Sequence, residues 1–229
     1  MSDMPKTLMK VDKPMEIRKT DIKPILIWVA FIYFIPAIIL GTIAARSSED
    51  VEVVIDSYMG MSILISNFTM FFILLAMYYK KLIFDFKRIT KKIAILILLS
   101  SLILLGFNFL LSYLFYIFEI SVGNQEALES LFASYAIPLA ISASIVAPFV
   151  EELAFRESLG SLIKNDYILV IVSAIAFGAV HSLGIPIILY GMMGAVWTIV
   201  YIKSDRNLTA AVIAHMINNV LGVVILFMS

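Results

Sequence analysis

Ala147-Pro148-Phe149-Val150-Glu151-Glu152-Leu153-Ala154-Phe155-Arg156 sets two adjacent carboxylates and a guanidinium inside an apolar run from Tyr135 to Ile163. A run of that length can cross a bilayer as a helix. A charge near the centre of such a helix costs roughly 2.5–3.5 kcal/mol on insertion scales, so an intramembrane charge is read first as functional. Helical geometry then divides the labour. Glu152 and Arg156 are four apart, share one face and stand in the favourable acid-before-base order. Glu151 is turned by about 100° from Glu152 and has no partner on its own helix. One carboxylate is therefore neutralised by Arg156, and the other is free to meet a different helix. Pro148, just upstream, removes a backbone hydrogen bond and loosens the helix where Glu151 begins.

The rest of the chain suits a membrane. Of 229 residues, 62% are hydrophobic and 15% charged, more apolar surface than a soluble domain of this length requires. The fold class expected is all-α: a polytopic transmembrane bundle of about seven helices with its N-terminus inside. Residues 1–23 are polar and read as a cytoplasmic tail. Residues 24–229 read as a single transmembrane domain, with N-terminal helices over 24–134 and a core over 135–227. The net charge is zero and gives no sign of nucleic-acid binding. The absence of cysteine excludes disulfides, thiolate metal sites and a cysteine nucleophile. There are two histidines, His181 and His215, and both fall in apolar segments.

Hydropathy places helices at about Pro24–Ala44, Tyr58–Tyr79, Ile93–Phe118, Tyr135–Ile163, Tyr167–Leu183, Pro186–Ile202 and Leu208–Phe227, with a kink expected at Pro36. The loop over 80–92 carries Lys80, Lys81, Lys87, Arg88, Lys91 and Lys92. The loops over 45–57 and 119–134 are acidic, the latter through Glu119, Glu126 and Glu129. Basic loops face the cytoplasm, so alternation puts the C-terminus outside. The short Gly184-Ile185-Pro186 turn makes the fifth and sixth helices packed neighbours. Gly191, Gly194 and Ala195, and likewise Ala140 and Ser144, read as close-packing surfaces. Glu157 reads as interfacial.

Depth supplies a further test. Glu151 lies about 13 residues from Lys164, roughly 20 Å from the cytoplasmic end at 1.5 Å per residue. Counted from their own loops, His181, His215 and Asn219 come to a similar level. Three short patterns hold these groups: Glu151-Glu152-x-x-x-Arg156, Phe177-x-x-x-His181 and His215-x-x-x-Asn219. Each pair four apart shares a helix face, so Phe177 lies against His181, and His215 and Asn219 point to one region.

Three patterns in this order on separate helices resemble the CPBP family of intramembrane proteases, which includes the type II CAAX prenyl proteases and the bacteriocin-processing and immunity proteins of the ABI group. The resemblance covers roughly Tyr135 to Phe227. It implies an integral, multi-pass protein of a bacterial plasma membrane, among membrane lipid, acting as an endopeptidase on peptide or membrane-protein substrates, lipidated ones included. It assigns catalysis to Glu151, His181, His215 and Asn219. Glu151 with His181 would activate a water, and His215 with Asn219 would donate to the oxyanion. Glu152, Arg156 and Phe177 would support them.

Other readings stand beside this one. No cofactor is favoured, but Glu151, His181 and His215 could also supply two nitrogens and an oxygen to zinc, and His-Glu-x-x-His is absent. No Gly-x-Ser-Gly speaks for a serine enzyme. No aspartate lies inside an expected helix, which speaks against an aspartyl protease. Glu151 and Glu152 could be a buried structural pair with Arg156. The same fold could serve as a non-catalytic regulator or bacteriocin self-immunity protein, with a membrane partner such as a sensor kinase. A proton-coupled transporter lacks the two matching half-repeats it would need.

Overall fold

The structure is a computed structural model, and it describes residues 20–120 and 134–228. The tail over 1–19 and the acidic stretch holding Glu126 and Glu129 lie outside the described residues. The described chain forms helices α1 (Lys23–Ala44), α2 (Val51–Lys87), α3 (Lys91–Ile117), α4 (Ser134–Leu162), α5 (Asp166–His181), α6 (Ile187–Lys203) and α7 (Leu208–Met228). The all-α polytopic bundle expected from the sequence is the fold observed.

Five of these helices, α1 to α4 and α7, are long and apolar enough to cross a membrane. The other two are not. α5 has 16 residues and α6 has 17, about 24–26 Å of helix against a hydrocarbon core of about 30 Å. Hydropathy carried the fifth helix on to Leu183, but it stops at His181, because Ser182 turns to extended backbone. The α5–α6 hairpin therefore ends inside the span of its neighbours, and His181 sits at its tip.

The second helix also departs from its hydropathy limits. It starts at Val51 and runs to Lys87, so most of the acidic and basic loops on either side of it are helical. Charged residues are adequate helix formers, and a helix need not stop where its apolar surface stops. One consequence is a buried aspartate within a helix, contrary to the expectation. Asp85 is fully buried but lies at the end of the bundle, 2.8 Å from Lys81 Nζ and 3.3 Å from Arg88 Nη1. Its Oδ2 accepts the backbone N–H of Leu208 at 3.1 Å, capping α7 from another helix. Glu157 is buried within the bundle, with Lys81 Nζ of the basic stretch 3.5 Å from its carboxylate.

Prolines shape α1 and α4 in the same way. Ala30–Phe34 and Ser142–Val146 are π-helical turns, and each lies just before a proline, Pro36 or Pro148. The N–H of Ile35 bonds to Ala30, and that of Ala147 to Ser142, each one residue further back than an α-helix would place it. The following proline has no N–H to offer. At both bulges a side chain from a neighbouring helix satisfies the carbonyl five residues before the proline. Ser66 of α2 donates to Phe31, and Asn219 of α7 donates from Nδ2 to Ala143 at 2.8 Å.

Close approach of α5 and α6 rests on glycine. A Cβ on Gly194 would stand 2.8 Å from Phe177 Cβ, and one on Gly178 would stand 2.8 Å from the Ile187 carbonyl. Ring contacts then cross the bundle. Trp28 of α1 meets Phe155 of α4 at 5.4 Å between centroids, Phe155 meets Phe177 of α5 at 5.3 Å, and Phe177 meets Trp197 of α6 at 5.5 Å. Trp197 stacks on His215 of α7 at 3.5 Å. This series of rings fixes the rotations of five helices around one point.

Candidate active site

That point is the acidic pair of α4. Immediately after the Pro148 bulge, Glu151 and Glu152 leave the helix in different directions. Glu152 is fully buried, whereas the Glu151 side chain keeps 14% of its surface accessible. The two carboxylates of one dipeptide thus have different environments, and only one can be reached.

Glu152 is held from two sides. Its Oε2 forms an ion pair with Arg156 Nε at 3.0 Å, and its Oε1 lies 2.9 Å from Nδ1 of His215. Arg156, also fully buried, donates from Nη2 to the Gly194 carbonyl at 3.0 Å. Its guanidinium lies over the rings of Phe177 and Trp197, 5.4 and 5.8 Å from their centroids, a placement that favours the cation. A buried ion pair needs such extra partners, because desolvation otherwise outweighs the mutual attraction.

Glu151 faces two histidines. Its Oε1 is 3.9 Å from Nε2 of His181, and its Oε2 is 3.8 Å from Nε2 of His215. The other nitrogen of each ring is already engaged. Nδ1 of His181 is 2.8 Å from the Phe177 carbonyl, which can only accept, so Nδ1 carries the hydrogen. Nδ1 of His215 donates to the Glu152 carboxylate. Both Nε2 atoms are thereby turned to Glu151. Ring stacking holds them there: His181 lies on Phe177 at 4.3 Å and on Tyr190 at 4.9 Å, and His215 lies on Trp197.

The structure therefore brings Glu151, His181 and His215 together from α4, α5 and α7, with Glu152, Arg156 and Phe177 packed behind them. It places Asn219 one turn beyond His215, with its amide on the Ala143 carbonyl. One N–H of that amide is used there, and the second has no acceptor among the described residues. Asn219 borders a cavity of about 280 Å³ that Asn108 and Asn218 also line. The buried Oδ1 atoms of Asn108 and Asn218 have no hydrogen-bond partner among the described residues.

Three contributors escaped the sequence reading. Trp197 and Tyr190 carry no polar signature in an apolar helix, and only their contact with the histidines marks them. Asn108 stands alone in α3 and could have been noticed as a polar group at membrane depth.

Taken together, fold and site define a polytopic membrane protein with a carboxylate–imidazole cluster buried in its helix bundle. Residues 133–221 match the family model described as type II CAAX prenyl endopeptidase, Rce1-like. The resemblance carried by the three motifs is borne out over this segment, which is similar to that family. Among curated proteins, the chain is 31% identical over 156 residues to UPF0177 protein YaiH of Lactococcus lactis subsp. lactis, a match covering 66% of this chain and 64% of that one. It is 32% identical over 148 residues to the UPF0177 protein in the abiGi 5' region of Lactococcus lactis subsp. cremoris, covering 63% and 62%. It is 30% identical over 114 residues to a Bacillus subtilis protein named "Putative membrane peptidase YdiL", covering 48% and 46%. The chain thus spans less than two thirds of the length of each of these relatives. No solved structure matches it.

Proposed function

We propose that this protein is a membrane-embedded endopeptidase in which Glu151 activates a water against a peptide bond. The observation that carries the reading is the partly accessible carboxylate facing two Nε2 atoms at 3.8 and 3.9 Å. Those gaps are too long for direct hydrogen bonds, and a water lying beside the three groups, rather than between them, would contact the carboxylate and an imidazole together. The family match and the membrane-peptidase name of one relative support the same kind of chemistry.

In this reading Glu151 takes a proton from the water as its oxygen adds to the scissile carbonyl. The C–O bond forms, and the carbonyl π pair moves to oxygen. The second N–H of Asn219 stabilises that oxyanion, a contribution of roughly 2.7–4 kcal/mol for one donor. The proton on Glu151 then passes to the leaving nitrogen as the C–N bond breaks. His181 holds the water through Nε2. His215, oriented by Glu152 behind it, carries protons in the way a carboxylate-backed imidazole does. With Nδ1 committed to Glu152, it fits that duty better than a fixed oxyanion donor.

Zinc is the second reading, favoured by the same donor set. Glu151, His181 and His215 would hold it, each imidazole being oriented through Nδ1 as metal-bound histidines are. Zinc there would polarise the carbonyl or lower the pKa of a bound water. The separations of 3.8 and 3.9 Å between ligand atoms are wider than the roughly 3.3 Å that tetrahedral bonds of 2.0–2.1 Å imply. We therefore place the glutamate–water mechanism first. The test is cleavage of a membrane-anchored reporter by the purified chain in liposomes, with and without prolonged chelation. Cleavage that survives chelation is expected. Activity abolished by the chelator and restored by zinc favours the metal, and no cleavage of any reporter favours a non-catalytic regulator.

A further inference from the structure

A second site lies at the opposite end of the bundle from the hairpin tip. The start of α3 and the end of α6 enclose a groove of about 610 Å³. Its rim is basic, with Arg88, Lys92 and Lys203, and its floor is apolar, with Ile93, Leu96 and Ile199. Thr90, Ser204 and Asp205 complete the lining.

The charges on the rim are not equivalent. Arg88 is committed to Asp85 at 3.3 Å and to the carboxylate of Asp205. Asp205 is held there on a backbone of positive φ, 60°, and its carbonyl also accepts from Arg88 at 3.2 Å. Lys92 and Lys203 are exposed, and no ion pair holds either of them among the described residues. One lysine begins an apolar helix and the other ends one, so both stand where a bilayer gives way to its headgroups. From Lys92 the wall continues into lipid-facing surface, with Leu99 53% and Ile103 61% exposed.

We infer that this groove binds one anionic phospholipid of the surrounding bilayer, its phosphate between Lys92 and Lys203 and an acyl chain along Leu96 and Ile199. Charge complementarity selects the headgroup, and basic pockets between transmembrane helices bind anionic headgroups in this way. The apolar floor running into the membrane selects a lipid over a soluble anion. Asp205 is the one acidic residue of the lining. Because it is neutralised by Arg88, it leaves the two lysines as the net charge. Neither lysine belongs to the cluster around Glu151, so the inference stands apart from the proposed protease chemistry.

The test is a titration of the purified full-length chain in detergent with phosphatidylglycerol or phosphatidylcholine, followed by native mass spectrometry. Phosphatidylglycerol should bind at least 10-fold tighter than phosphatidylcholine. Lys92→Gln with Lys203→Gln should weaken it about 30-fold, the usual strength of two headgroup-region cations. Leu96→Trp, which fills the floor and leaves the charges, should weaken both lipids. Millimolar inorganic phosphate should not compete. Thermal unfolding without added lipid should be unchanged in the lysine variant, since both side chains are exposed. Equal affinity for the two lipids, wild-type affinity in the double lysine variant, or displacement by inorganic phosphate would each overturn the assignment.

Discussion

Glu151 and Glu152 show how one dipeptide can hold two functions. They are chemically identical, and helical rotation sends them to different partners. Glu152 meets Arg156 and His215, and Glu151 meets the two Nε2 atoms. Arg156→Ala should therefore be a folding variant. It strands a fully buried carboxylate and should cost about 3–5 kcal/mol, read as a lower melting temperature in detergent. Adding Glu152→Gln should recover part of that loss, because the remaining amide is uncharged. Wild-type stability in Arg156→Ala would dismiss the pairing as an energetic feature. His181→Ala makes a different demand. The ring lies at a helix tip with Nε2 facing Glu151, so its loss should reduce cleavage at least 10²-fold and move the melting temperature little. Much of this was legible in the sequence: four-residue spacing foretold the Glu152–Arg156 pair, and counting from the loops put Glu151, His181 and His215 at one depth. The partners of the histidines were not legible, because Trp197 and Tyr190 look like any aromatic in an apolar helix.

α4 shows why a proline can help a site it does not touch. Pro148 follows the π-turn Ser142–Val146 and has no N–H to offer the Ala143 carbonyl, which accepts from Asn219 instead. The two residues should then be energetically coupled. Asn219→Ala alone should cost about 1–3 kcal/mol, the penalty for an unsatisfied buried acceptor. In Pro148→Ala, which regains the N–H, it should cost less. A double-mutant cycle should give a coupling of about 0.5–3 kcal/mol, and simple additivity would contradict the bulge account. The hairpin α5–α6 offers another test. Gly194→Ala puts a methyl 2.8 Å from Phe177 Cβ and 3.0 Å from the Ser173 carbonyl. It should destabilise by about 1–3 kcal/mol, and a melting temperature at or above wild type would show that the helices can part freely. Pro148 was visible in the sequence as a loosened helix, and the short turn at 184–186 as a packed pair. The bulge and its cap were not, since they depend on which helix lies opposite.

Ring contacts join α1, α4, α5, α6 and α7 around Glu151, and α5 ends at His181, beside that carboxylate. Of the packing partners only the α5–α6 pair was legible, from its short turn, whereas helix number and order followed from hydropathy. The ends of α2 did not, because its last turns are charged yet helical and stabilised by Asp85, Lys81 and Arg88. The basic stretch over 80–92 predicts a cytoplasmic position for that end of the bundle. The chain has no cysteine, so single cysteines report cleanly. In intact spheroplasts a membrane-impermeant maleimide should label Ser48→Cys and should leave Lys91→Cys unlabelled until the membrane is opened. The reverse pattern would invert the topology. The account as a whole depends on Glu151 being the base that this bundle holds in place. The most direct measurement compares reporter cleavage by wild type and Glu151→Gln, both reconstituted in liposomes and both checked for equal melting temperature. Glutamine keeps the shape and cannot take the proton, so a loss of at least about 10²-fold is expected. Cleavage by Glu151→Gln at the wild-type rate would contradict the account.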